Sequence, residues 1–151
     1  MSPGETLHAS CVAHGARGLL ILGASGAGKS ALALELIALG ADLVADDRVA
    51  LRRQGAAVIA SAPPALCGLI EARGAGLLRM PFAAEAAVTL ALDLDGAETA
   101  RLPPRRTTLL LGAAVPVILC PVVLRPASIL AVLRHGPPLD PDAPIAPRRH
   151  P

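Results

Sequence analysis

Apolar residues along this chain fall into short runs cut by glycine and proline, and the runs change period as they go. "SCVAHGARGLLILG" holds two apolar stretches around a glycine-bearing turn, which predicts a hairpin whose second strand, Gly18 to Leu22, feeds a glycine-rich loop. In "KSALALELIALG", Leu32, Leu36 and Leu39 recur at helical spacing with Ala between them, and Gly40 suits the position just past a helix end. "ADLVADD" predicts a short strand closing on two carboxylates, and "RVALRRQGAAVIASAP" a hairpin around Gln54-Gly55. "PPALCGLIEARGAGLLRM" predicts a loop, a short strand and a glycine-rich turn. "AAVTLALDLD" alternates as a strand with late carboxylates, "LPPRRTTLLLG" leads into another, and "PASILAVLRHG" predicts a final helix ended by Gly136. From Pro137 the chain is proline-rich, so residues 137–151 are expected to be an extended or disordered tail behind one domain over 1–136. The order strand, loop, helix, strand and then several short strands is mixed α/β, with more strand than an alternating nucleotide-binding fold carries.

Composition narrows this picture. A chain of 151 residues is expected to form one domain, burying roughly 68–70% of its unfolded surface. Phe82 is the sole aromatic, so the core is expected to be aliphatic, and the scarcity of aromatics argues against base stacking on single strands. A net charge of +2 with scattered arginines argues against a nucleic-acid partner. Cys11, Cys67 and Cys120 share no metal-ligand spacing and are expected to be small apolar residues in a reducing cytoplasm. "MSPGETLHAS" has neither the basic start nor the apolar run of a signal peptide. The most apolar segment, Leu109 to Leu124, is broken by Pro116 and Pro121 and falls short of the roughly 20 residues a spanning helix needs, so it is expected to be buried strand and turn, with no membrane partner.

The chemistry begins at "GASGAGKS". Gly23, Ala24, Ser25, Gly26, Ala27, Gly28, Lys29 and Ser30 fit G-x-x-x-x-G-K-[ST] at every position, between an apolar strand and a helix. Glycines let consecutive backbone N–H groups turn toward phosphate oxygens, and the helix start adds its positive dipole end. Lys29, the only lysine among fourteen basic residues, is expected on the β- and γ-phosphates, and the Ser30 hydroxyl on Mg²⁺. This makes the fold a P-loop kinase core with a mixed, strand-rich sheet. Asp46 and Asp47 follow Ser30 by 16 and 17 positions, room for one helix and one strand. Neighbours on a strand point to opposite faces, so one carboxylate can serve Mg²⁺ and the other an incoming nucleophile. A solvated strand end paired with Arg48, Arg52 or Arg53 is the plainer alternative.

Three segments in order, "TLH" (Thr6 to His8), "GLLILGASGAGKSALALELIALGADLVADD" (Gly18 to Asp47) and "GLIEARGAGLL" (Gly68 to Leu78), resemble the HPr kinase/phosphorylases, specifically their C-terminal catalytic domain. The resemblance runs from about Thr6 to Arg134 and is carried by the loop, the "LVADD" pair and a signature usually of the form E-I-R-G-x-G. It implies a cytoplasmic kinase that uses ATP or pyrophosphate with Mg²⁺ to phosphorylate a serine of the phosphocarrier HPr, regulates carbon metabolism or the phosphotransferase system, and in many members reverses the reaction by phosphorolysis. By position it implies Asp46 as general base, with His8 nearby to orient it. It puts Asp47, Ser30 and Glu71 on the Mg²⁺ side and Arg73 near the transferred phosphate. A homo-oligomer, in the family a hexamer, is also implied. The sequence resembles the short alphaproteobacterial form and carries "VVLRPAS", with Arg125, where the family usually has P-G-R-N near its dephosphorylation site and subunit contacts. Two other readings share the loop: a small-molecule kinase, and a catalytically silent ATP-sensing module.

Overall fold

The computed structural model describes residues 4–143. Its elements are β1 (Glu5–Leu7), β2 (Ser10–His14), β3 (Arg17–Leu22), α1 (Lys29–Ala38), β4 (Asp42–Ala45), β5 (Val49–Gln54), β6 (Ala57–Ser61), a 3₁₀ turn (Pro64–Leu66), β7 (Leu69–Ala72), β8 (Gly76–Arg79), β9 (Ala86–Glu98), β10 (Thr107–Leu110), β11 (Ala113–Pro121) and α2 (Pro126–His135). Both sequence-predicted hairpins form, β2 with β3 and β5 with β6. The α1 end closes as expected at Gly40, where the Ala41 N–H donates to Leu36 O and the Gly40 N–H to Ile37 O, each at 3.0 Å.

A nine-stranded sheet runs β1-β5-β6-β9-β3-β2-β4, with β11 joined to β9 and β10 to β11. β3, β9 and β11 are mutually parallel, and β2 lies antiparallel between β3 and β4, so β4 runs in the direction of β3. The thirteen-residue β9 is shared: β3 holds one edge, while β6 takes the start of the other and β11 the rest. Both faces are covered, which is why β3 reads as an unbroken apolar run. On one face Leu19 and Ile21 pack under the two helices with Leu32, Leu36, Leu90, Leu92 and Leu133. On the other, Leu20 meets Val44, Val49, Leu51, Val58 and Val88, supplied by the sheet curling over itself. Each buried leucine stabilises by about 1.5–3 kcal/mol, so an aliphatic core suffices without aromatics.

Several elements depart from the pattern-based expectation. β8 pairs only with β7, forming a separate ribbon where a bare turn was expected. The segment 109–124 is not uniformly buried. It spans the β10–β11 hairpin, in which Leu109 is 72% exposed while Ala113 and Val115 are core. Pro116 is level with Thr107 at the end of the β10 ladder, just before the Val117 N–H that donates to Arg106 O at 3.0 Å, and pairing with β9 begins at Val117. The tail is described as far as Ala143: it forms neither helix nor strand there, and the Arg105 Nε–H donates to Pro138 O at 3.0 Å. The remainder of the expected disordered tail, 144–151, lies outside the described residues. Among the described residues no helix is long and apolar enough to cross a membrane.

Cys11 is buried in the sheet, which pushes its thiol up to about 12 and keeps it protonated, in line with the reading of the cysteines as small apolar residues. Glu98 ends β9 and accepts from the Arg106 Nε–H at 3.1 Å, and this hydrogen bond holds its carboxyl below the usual value. A carboxylate depressed in the folded state adds stability that is present above its unfolded pKa and lost as pH falls through the folded one. Glu98→Gln is therefore expected to lower the melting temperature most at neutral pH, with the gap to the parent closing under acid; a thermal melt series down to pH 3 checks it.

Candidate active site

β3 delivers the chain to the phosphate loop at Gly23, and α1 begins at Lys29. Gly28 caps that helix in a left-handed conformation, φ 99°, which a side chain would strain. No side chain caps the N-terminus and its first turn holds no acid, so its backbone donors stay free for an anion. Lys29 is only 7% exposed, and its ammonium donates to Gly23 O at 2.6 Å and Ala24 O at 3.0 Å. Asp95, two residues past the β9 position level with Leu22, accepts the Ala24 N–H at 2.8 Å and pins the start of the loop.

The two aspartates part company. Asp46 is 4% exposed and lies behind Ser30. Its Oδ1 accepts from Ser10 Oγ at 2.6 Å and Ser30 Oγ at 2.8 Å; its Oδ2 accepts from Ser30 Oγ at 2.9 Å and the Glu71 N–H at 3.2 Å. The Asp47 side chain is 65% exposed, with Oδ1 at 3.0 Å from His8 Nε2. The divergence does not come from strand alternation, as the sequence suggested. β4 ends at Ala45 and Asp47 takes φ 66°, so a backbone turn swings it out. The pairing with arginine also fails: among the described residues Arg52 bridges to Glu85 and Arg106 to Glu98, and neither aspartate has such a partner. His8 stands in the bend between β1 and β2, ahead of the whole hairpin, and meets Asp47 rather than Asp46.

The β7–β8 ribbon completes the wall. It is fixed at Gly68, φ 74°, where a Cβ would stand 2.7 Å from Met80 O and where Gly68 O accepts the Met80 N–H at 2.8 Å. Ile70 is fully buried in the helix-side core, which turns Glu71 toward the phosphate loop. The result is a pocket of roughly 290 Å³ that brings together His8, Ser25, Gly26, Gly28, Lys29, Ser30, Asp47, Glu71 and Arg73. Of the sequence-predicted residues, Gly23, Ala24 and Ala27 build the loop without lining the pocket, and Asp46 sits underneath it. Sequence reasoning missed Ser10, a serine at the head of a strand with no local mark. It also passed over Asp95, although the late carboxylates of β9 were visible. A second hollow of about 170 Å³, between Ile118 and prolines 103, 104, 137 and 138, is mostly apolar and holds the Glu98–Arg106 pair.

Among the described residues no cluster of three or more His, Cys, Asp or Glu forms a ready metal cage. Mg²⁺ does not require one, since it is commonly held by one or two carboxylates, water and substrate phosphates. The Ser30 hydroxyl, which donates to Asp46 behind it, and the Glu71 carboxylate in the pocket are an oxygen donor set that could hold such an ion.

Residues 1–88, more than half of the chain, match the model of the HPr serine kinase C-terminal domain. The chain belongs to this family. It is 34% identical over 146 residues to the HPr kinase/phosphorylase of Brevibacillus brevis, covering 88% of this chain and 46% of that protein. It is 48% identical over 79 residues to the HPr kinase/phosphorylase of Bordetella pertussis, covering 52% of this chain and 26% of that one. The chain thus spans about half the length of the Brevibacillus relative and matches about a quarter of the Bordetella one. The solved structure of the Hpr(Ser) kinase/phosphatase from Coxiella burnetii superposes with a TM-score of 0.75 at 30% identity, over 86% of this chain and 94% of that one. The likeness of fold therefore extends past residue 88 into the β9–α2 half, where the family model no longer matches.

Proposed function

We propose that this chain is an ATP-dependent serine kinase acting on an HPr-type phosphocarrier protein. The observation that carries this reading is the exposed His8–Asp47 pair, 3.0 Å apart, sharing one pocket with the phosphate loop. A holder of nucleotide needs only the loop; a solvent-facing carboxylate set beside it is what a transfer to an incoming hydroxyl requires.

The α1 N-terminus and Lys29 bind the triphosphate, Lys29 exchanging its carbonyl partners for phosphate oxygens. Asp47 accepts the proton of the acceptor serine as its Oγ bonds to the γ-phosphorus and the bond to the β–γ bridging oxygen breaks, releasing ADP. His8 holds the Asp47 carboxylate toward the acceptor, and Arg73 offsets charge on the moving phosphoryl group. Ser30 and Glu71 are the residues that would hold Mg²⁺, which supplies charge neutralisation at the β- and γ-phosphates. These roles exchange the two aspartates relative to the sequence reading. Asp46, sealed under Ser30 with every contact already made, has no route to an acceptor, whereas Asp47 stands open to one. In phosphorolysis, for which the Brevibacillus relative is named, an oxygen of inorganic phosphate would bond to the phosphoserine phosphorus as the bond to the serine Oγ breaks, a protonated Asp47 giving its proton to that Oγ and pyrophosphate leaving.

Incubation with ATP, Mg²⁺ and the cognate phosphocarrier is expected to add one phosphate to a serine, read by intact mass and fragmentation. Labelling on histidine, or none with a partner verified as a substrate of another HPr kinase, would sink the proposal.

A further inference from the structure

We infer that Ser10 is a positioning residue that sets how tightly the site takes its magnesium, acting through Asp46. This rests on the reading of Ser30 and Glu71 as the metal side. β2 separates the phosphate-loop strand from the aspartate strand, so its residues look both ways. Cys11 pairs with Ala45 of β4, and Ser10, one step nearer the site, pairs with Ile21 of β3. That step brings Ser10 level with Asp46. Its side chain is 0% exposed and its hydroxyl donates to Asp46 Oδ1 at 2.6 Å.

A carboxylate removed from water is costly unless donors replace the solvent, and among the described residues Asp46 has no salt-bridge cation. It has three donors in place of one: Ser10 behind, Ser30 in front and the Glu71 N–H at the side. Of the three residues that donate, Ser30 and Glu71 line the pocket, and both are anchored on this one carboxylate. With the Ser30 proton committed to Asp46, the lone pairs of Ser30 Oγ are left for a cation. Ser10 is the donor that makes no contact with the pocket, so its role is to stop the carboxylate from turning. Without it, Oδ1 keeps Ser30 alone, and the joint anchor of Ser30 and Glu71 loosens. Groups behind the ligands of a metal site commonly change its affinity by about 10–100-fold.

The test is the binding of a fluorescent ATP analogue to the full chain, with and without Mg²⁺, across a Mg²⁺ titration and with thermal melts alongside. Ser10→Ala is expected to raise the half-saturating Mg²⁺ concentration about 10-fold while leaving metal-free nucleotide affinity within about twofold. Ser10→Thr, which keeps the hydroxyl, is expected to keep the parent Mg²⁺ dependence, and Ser10→Val, close to Thr in shape, to lose it. The proposal is overturned if Ser10→Ala keeps the parent Mg²⁺ dependence, or if it loses metal-free affinity equally. Unfolding of both the Ala and the Val variants would assign Ser10 to the core and overturn it as well. A parent chain whose nucleotide binding ignores Mg²⁺ would overturn the metal-side reading and the inference together. Failure to phosphorylate HPr in an otherwise Mg²⁺-dependent binder would count against the kinase reading alone.

Discussion

Asp47→Asn is expected to cut serine phosphorylation by about 10²–10⁴-fold while nucleotide affinity stays at the parent value. Asparagine keeps the size of the side chain and can still hydrogen-bond His8 across the 3.0 Å gap, but it cannot take a proton. Because Asp47 is exposed, the substitution removes little packing and the fold should hold. Asp46→Asn is expected to behave differently. An amide beneath Ser30 would bring N–H donors against the two hydroxyls and the Glu71 N–H that now donate to the carboxylate, so Mg²⁺-dependent nucleotide binding and thermal stability should both fall. Single-turnover transfer rates at saturating Mg²⁺ and ATP, set beside direct binding constants, separate the two. Intact transfer in Asp47→Asn with lost transfer and unimpaired binding in Asp46→Asn would return the base to Asp46.

The second large effect is expected at Lys29. Lys29→Met should weaken ATP binding about 10²-fold, the scale set by losing charge-assisted hydrogen bonds at a buried site, and abolish transfer with it. The phosphates lose their cation, while the loss of the donor to Gly23 O and Ala24 O falls on the free protein and is expected as a lower melting temperature without nucleotide. Lys29→Arg is not expected to rescue binding, because a planar guanidinium cannot replace a compact ammonium lodged between two carbonyl oxygens. Calorimetric titration of each variant with Mg²⁺-ATP measures both. Parent-like affinity in Lys29→Met would place the triphosphate elsewhere.

Much of this was legible because it is local. Leu32, Leu36 and Gly40 define α1 by spacing and an end signal, and Gly15 and Gly55 mark the turns of two hairpins. The phosphate loop is contiguous, so its motif and its geometry are one object. What escaped the sequence depends on contacts between distant segments. β8, with all four residues exposed, carries no periodic signal and is a strand only because β7 is beside it. The division of labour between Asp46 and Asp47 is set by a left-handed turn at a non-glycine residue and by a strand inserted between β3 and β4. Neither leaves a trace in hydrophobic alternation, so adjacency alone could not say which carboxylate faces solvent. Ser10 has meaning only once β2 is known to lie against Asp46.

The insertion of β2 has one more effect. Among the described residues, every group that lines the reactive pocket, from His8 to Arg73, comes from a single uninterrupted stretch in the first half of the chain. The later strands and α2 reach the site chiefly through the Asp95 contact to the loop, and otherwise through the core beneath α1. Selection for the pocket's chemistry then falls chiefly on the first half, while the second bears on that pocket through its shape and through the Asp95 contact. Sequence drift should accordingly gather after residue 88 while the architecture persists, as the early end of the family match and the broad reach of the Coxiella superposition together suggest.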